Sequence, residues 1–320
     1  MINVLRSSHP FFFILSSCVL LLAFIAGYGQ NTFSSIKGHP FSWLQFIPLF
    51  FQYILGALLL FCSGFLINTI VNKSVLFSKN FYLPGLIYIS LMLFFPKNGY
   101  FHPMAISNLF CILCFSNLIR IYRNESCKNH LFKACCWVIL AAVCFPSFSV
   151  MFLMSWVSLL IIRPFVWREY LIPVLCLGLL SAYLSVFLLI SNSSFNVLPH
   201  WLSTKAYYSI KFSNEPLVAV GVFLFITLAL SLKIVLFTYG RSTNRFKKII
   251  KLLLLYFILC VFQIAVDVFF FHSICFSVYS AFVPLSILIA FVYMYGKRVW
   301  ILDWIYVLFI VSIFVFTYLV

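Results

Sequence analysis

The chain has 320 residues, of which 65% are hydrophobic and only 8% charged, and its mean hydropathy is +1.14. Soluble domains carry about 25% charged residues, so 21 basic and 5 acidic side chains cannot coat a soluble surface of this size, and a soluble globular fold is excluded. The net charge of +16 would point to nucleic acid in a soluble protein, but here Lys and Arg gather between apolar runs, where they act as topology signals held on the cytoplasmic side of a membrane.

Hydrophobic runs bounded by Pro, Gly and charges fall at 10–28, 46–70, 80–95, 103–119, 134–147, 148–162, 170–191, 216–238, 252–271, 274–295 and 300–318. They predict an all-α polytopic transmembrane bundle of about eleven helices, forming one integral membrane domain over 1–320. The first run follows Arg6 and is long for the core of a secretory signal, so it is expected to stay as a membrane helix. The polar stretch 29–45 carries Phe33, Ile36, Phe41 and Trp43, with Phe46 next to it, a pattern suited to a segment lying on the outer leaflet. The stretch 192–215 has the same character, with Pro199, His200, Trp201, Tyr207 and Tyr208, whereas 120–133 and 239–251 read as basic inner loops.

Runs 134–147 and 148–162 are each shorter than the usual 17–25 residues of a membrane helix. A helical hairpin turning near Pro146 and Ser147 is preferred to one long tilted helix, because the long helix would carry the basic run Arg241 to Lys251 to the outer side. With a cytoplasmic N-terminus, 17 of the 21 basic residues face inward and only Lys37, Lys97, Lys205 and Lys211 face outward. That asymmetry is the one expected of a bacterial inner-membrane protein, and it leaves nothing for nucleic acid to explain.

The five acids can be weighed singly. Glu125 sits in a basic loop, Glu169 follows Arg168 at a helix start, Asp303 lies close to Lys297 and Arg298, and Glu215 precedes Pro216 where a helix begins, so each has a structural reading. Asp267 differs, because it stands in the apolar stretch Gln263 to Phe271, and an ionisable group inside a membrane helix is a functional candidate. The alternative is a carboxylate bonded to neighbouring helices. Pairing with His272 needs a bend, since five residues turn a helix by about 500° and leave the two side chains about 140° apart. On the outer side Lys37, Lys97, His200, Lys205 and Lys211 form a candidate set for the phosphates of a lipid carrier, because ammonium and imidazolium groups neutralise phosphate oxygens. His39 and His102 face the same way.

Eleven cysteines lie almost entirely within apolar runs, which argues against a disulfide framework. Cys111 and Cys114 have the spacing of a metal or redox pair, and Cys135 and Cys136 are adjacent, but both sets are read as small packing residues. There is no phosphate-binding glycine loop, dinucleotide fingerprint or zinc-peptidase motif, so neither a metal nor a cofactor is expected.

The order of features in residues 1–170 resembles the C superfamily of glycosyltransferases, polytopic enzymes that use lipid-linked sugars. A first helix, a long aromatic outer loop and a second helix come first. The stretch Phe95-Pro96-Lys97-Asn98-Gly99-Tyr100-Phe101-His102-Pro103 and a helix ending Arg120-Ile121-Tyr122-Arg123 follow, and then the hairpin from Leu131 to Arg163. The segment Arg163-Pro164-Phe165-Val166-Trp167-Arg168-Glu169-Tyr170-Leu171-Ile172-Pro173 is also similar to a signature of bacterial envelope membrane proteins of uncharacterised function. The first resemblance implies binding or processing of a polyprenyl-phosphate-linked sugar in envelope glycan assembly, with 1–170 as the glycosyltransferase-like half and 171–320 as C-terminal helices. This chain departs from that pattern in its first outer loop, Gly29 to Pro40, which contains no carboxylate to serve as base or metal ligand. Whether the protein is an enzyme is therefore left open by its sequence, with Asp267 as the sole catalytic candidate. The alternative reading is a non-enzymatic assembly subunit with a membrane-protein partner, or a transporter.

Overall fold

The structure is a computed structural model and describes residues 10–26, 48–77, 81–93, 103–122, 127–190, 214–267, 278–296, 300, 304 and 306–311. Among them are ten α-helices: α1 (Pro10–Ala26), α2 (Leu49–Ser74), α3 (Leu83–Leu93), α4 (Pro103–Arg120), α5 (Cys127–Cys144), α6 (Leu153–Ile162), α7 (Trp167–Ile190), α8 (Asn214–Arg241), α9 (Asn244–Val266) and α10 (Val278–Tyr295). A 3-10 segment, Pro146–Phe152, precedes α6, and a further helical stretch covers 306–311. Four helices, Phe50–Ser74, Cys127–Cys144, Asn244–Val266 and Val278–Tyr295, are long and apolar enough to cross a membrane, and the chain is an integral membrane protein.

Two expected inner loops are corrected. Helix α5 starts at Cys127 rather than 134, so Lys128 and Lys133 stand on its first two turns. Helix α9 starts at Asn244 rather than 252, which places Arg245, Lys247, Lys248 and Lys251 on a helix, while Ser242 and Thr243 alone join α8 to α9. Charge breaks misplace both boundaries for one reason: long basic side chains lie along a helix and carry their ammonium groups to water, so they do not end it.

The region 127–162 is a hairpin. Phe145 is extended (φ −148°, ψ 109°) and Pro146 follows, ending α5, after which the 3-10 segment runs into α6 without leaving helical backbone angles. The 18 residues of α5 rise about 27 Å, and the 7 residues of 3-10 helix plus 10 of α6 rise about 29 Å, because the 3-10 form gains about 2.0 Å per residue. Helix α5 is long enough to cross a membrane, the return arm Pro146–Ile162 is a shorter apolar helix, and the two return to one end.

That common end is basic. Lys248 Nζ donates to the Ile162 carbonyl at 2.6 Å and lies 5.5 Å from the Tyr122 ring centre, while Arg245 donates to the Lys73 carbonyl at 3.4 Å. Cations from the first turns of α9 thus cap the carbonyl ends of α2 and α6, where helix dipoles favour positive charge. Arg163 pairs with Glu169 at 3.4 Å beside Cys127, and Trp156 Nε1 donates to the Tyr170 carbonyl at 3.2 Å, which locks the corner between α6 and α7.

All of α3 and nearly all of α10 are buried, so these two helices form the centre of the bundle. Close packing there is set by Gly85, whose added Cβ would overlap the Gly64 carbonyl and the Asn68 amide on α2. Asn68 Oδ1 accepts from Gly85 N at 2.7 Å and Asn72 Oδ1 from Phe81 N at 2.9 Å, so α2 supplies partners for amides that the start of α3 leaves open.

Candidate functional site

Helix α9 carries the candidate site on its buried face. Thr243 caps its start by accepting from Phe246 N, and its basic turns follow. Beyond them Tyr256, Cys260, Gln263 and Asp267 recur at spacings of four, three and four, which puts a hydroxyl, a thiol, an amide and a carboxylate on one face. All four are buried, Asp267 at 3% exposure, whereas Ile258, Val261 and Phe262 on the other face are exposed. The chain therefore turns a polar stripe inward and an apolar stripe outward, the opposite of the pattern in a soluble helix, because lipid is the outer solvent.

At the far end of the stripe Asp267 closes α9, its N–H bonded to the Gln263 and Ile264 carbonyls. A carboxylate at this position stands at the negative end of the helix dipole and away from water, so cations and hydroxyl donors are the groups that stabilise it. One turn earlier, Gln263 Nε2 donates to Ser147 Oγ at 3.0 Å, and Gln263 Oε1 has no partner. Ser147 sits at the hairpin corner, which is how the break at Pro146 and the polar stripe come together.

Facing this stripe, Asn108 on α4 uses its amide hydrogens on Tyr88 Oη at 3.1 Å and the Tyr279 carbonyl at 3.2 Å, tying α3, α4 and α10 together and leaving Asn108 Oδ1 without a partner. The Tyr256 ring lies 5.5 Å from Phe115, with Cys111, Cys260, Tyr88 and Cys114 among its neighbours, and its hydroxyl is also buried without a partner.

Of the residues singled out from sequence, Asp267 is placed in this polar cluster. Lys37, Lys97, His200, Lys205 and Lys211, together with His39, His102, His272, Glu125 and Asp303, lie outside the described residues. Glu169 is an ion-pair partner of Arg163 at the start of α7. Cys111, Cys114 and Cys135 are buried packing groups, and Cys136 Sγ meets Cys176 Sγ at 3.5 Å, a contact between α5 and α7 that no spacing along the chain reveals. Among the described residues no three ligating side chains converge on a metal position. Sequence reasoning missed Gln263, Ser147, Asn108 and Tyr256. The first and last carried a usable signal, their helical spacing from Asp267, whereas Ser147 and Asn108 are joined to the stripe by folding alone.

Compared with protein-family models, curated proteins and solved structures, the chain matches none.

Proposed function

We propose that this protein binds the polar head of a polyprenyl-phosphate-linked sugar at the Asp267 end of its bundle, as a member of bacterial inner-membrane envelope glycan assembly with a glycosyltransferase-C-like arrangement in residues 1–170. The observation that carries the reading is Asp267 itself, a carboxylate buried to 3% exposure at a helix end in a membrane protein, with the spare amide oxygen of Gln263 one turn away. Carboxylate and amide oxygens are hydrogen-bond acceptors, the hydroxyl groups of a sugar head are donors, and Gln263 Oε1 is the acceptor left open. Phosphates need cations instead, and Lys37, Lys97, His200, Lys205 and Lys211 supply them on the same side in the topology read from the sequence. If a transfer step occurs, Asp267 is the group able to take a proton from an acceptor hydroxyl.

The test is binding of a polyprenyl-pyrophosphate-linked sugar to the full chain in lipid nanodiscs, read by native mass spectrometry. Loss of a hydrogen bond to a charged acceptor corresponds to about tenfold or more weaker binding by Asp267→Asn. Saturable binding with that loss supports the reading. No saturable binding, or equal binding by the variant, overturns it and leaves the non-enzymatic assembly subunit or transporter.

A further inference from the structure

Cys136 on α5 and Cys176 on α7 are both free thiols, and their sulfurs lie 3.5 Å apart although 40 residues separate them in the chain. Closing that gap to the ~2.05 Å of a disulfide takes about 1.5 Å of sulfur movement. Cys136 is the tenth residue of α5 and Cys176 the tenth of α7, and the two helices start side by side at the basic end. The pair therefore lies about 14 Å from that end, halfway along the α5 span. The surface around it is apolar: Phe132 and Leu140, one turn to either side of Cys136, and Leu175 and Leu179, beside Cys176, are exposed where lipid covers the bundle. Cys136 is part-exposed at this surface, and Cys176 is buried behind it. Glutathione and thioredoxin-type dithiols act as charged thiolates in water, and charge is costly at this depth. A lipid-soluble partner that takes up protons together with electrons leaves no charge behind in the bilayer, and a quinone does so on becoming a hydroquinone.

We propose that Cys136 and Cys176 form a redox site at the lipid-facing seam between α5 and α7, oxidised to a disulfide by a membrane quinone. The two S–H bonds break, one S–S bond forms, and two electrons and two protons pass to the quinone oxygens, giving one hydroquinone for each disulfide. Cys136 is the thiol that the quinone meets, and Cys176 completes the bond from behind it. Among the described residues α7 packs chiefly on α5 and presents most of its length to lipid, so the disulfide fixes α7 to its main support. Cys135 is fully buried and within hydrogen-bonding reach of Ser155 on α6, which makes it an internal control. The site is separate from Asp267 and stands whichever ligand binds there.

The full-length protein, reduced with a phosphine that is then removed, is placed in nanodiscs containing decylubiquinone. Disulfide-linked peptides are mapped by mass spectrometry without reduction, and hydroquinone is followed by its absorbance. The expected result is a Cys136–Cys176 disulfide formed with one hydroquinone per chain, at least about tenfold faster than with oxidised glutathione supplied in the aqueous phase. Cys136→Ala and Cys176→Ala each abolish the cross-link and the hydroquinone, whereas Cys135→Ala keeps both. Hydroquinone formation that persists in Cys136→Ala overturns the site, as does a cross-link that runs through Cys135. So does a pair that quinone leaves reduced in the folded protein, and the two thiols are then packing residues alone. If a variant fails to fold, the wild-type cross-link and the ratio of its rates with quinone and glutathione decide the matter.

Discussion

Val75 closes α2 with φ 55°, in the left-handed region where a β-branched side chain meets its own backbone and glycine does not. Its side chain is exposed, so little packing compensates the strain. Val75→Gly is therefore expected to stabilise the protein by about 1 kcal/mol, seen as a higher thermal unfolding midpoint in detergent. An unchanged or lower midpoint shows that this turn is held for another reason. The candidate site is partly legible at the same scale. An acid in an apolar run marks Asp267, and the turn-by-turn spacing back through Gln263 and Cys260 to Tyr256 is open to any reader of the chain. What the residues cannot declare is which of them lack partners. Gln263 and Asn108 each spend part of an amide on another helix, and the atom left over is defined only once those helices are in place.

Helices α5 and α6 show how local chemistry and length act together. Pro146 identifies the corner from sequence, since it holds Phe145 extended, and the return arm of 17 residues, its first 7 in 3-10 form, is close in length to the outgoing arm of 18. The basic start of α9 has a comparable double character, read as loop from its charges and found as helix whose cations cap neighbouring helix ends. Lys248→Met keeps much of the stem length and removes the donor to Ile162 together with the cation over Tyr122. The expected cost is about 1 kcal/mol, discounted for partial exposure of the ammonium group. Thermal unfolding measured beside Lys247→Met, whose ammonium lies over Tyr239, checks it, and an equal effect of the two variants would remove the capping argument.

Across the whole molecule, the hairpin decides which basic groups share an end. The carbonyl ends of α2 and α6, the residues just past α4, and the starts of α5, α7 and α9 meet there through Lys248, Arg245, Arg163 and Glu169. The charge rule predicts that this end faces the cytoplasm. Asn244→Cys, at the exposed first residue of α9, is then expected to react with a membrane-impermeant maleimide in inside-out vesicles and not in intact spheroplasts. Labelling from the outer face alone would invert the topology and detach the outward Lys and His residues from the Asp267 end.

Composition and hydrophobic runs were sufficient for an all-helical membrane protein, for most of its helix positions and for the corner at Pro146, because bilayer thickness and proline geometry act on consecutive residues. They also isolated Asp267, since an acid in an apolar run has few sequence-level explanations. The true starts of α5 and α9, the capping by Lys248 and Arg245, and the meeting of Gln263 with Ser147 and of Asn108 with Tyr88 and Tyr279 were decided by tertiary structure. Each depends on groups separated along the chain, whose partners are chosen by which helices pack side by side rather than by any local preference.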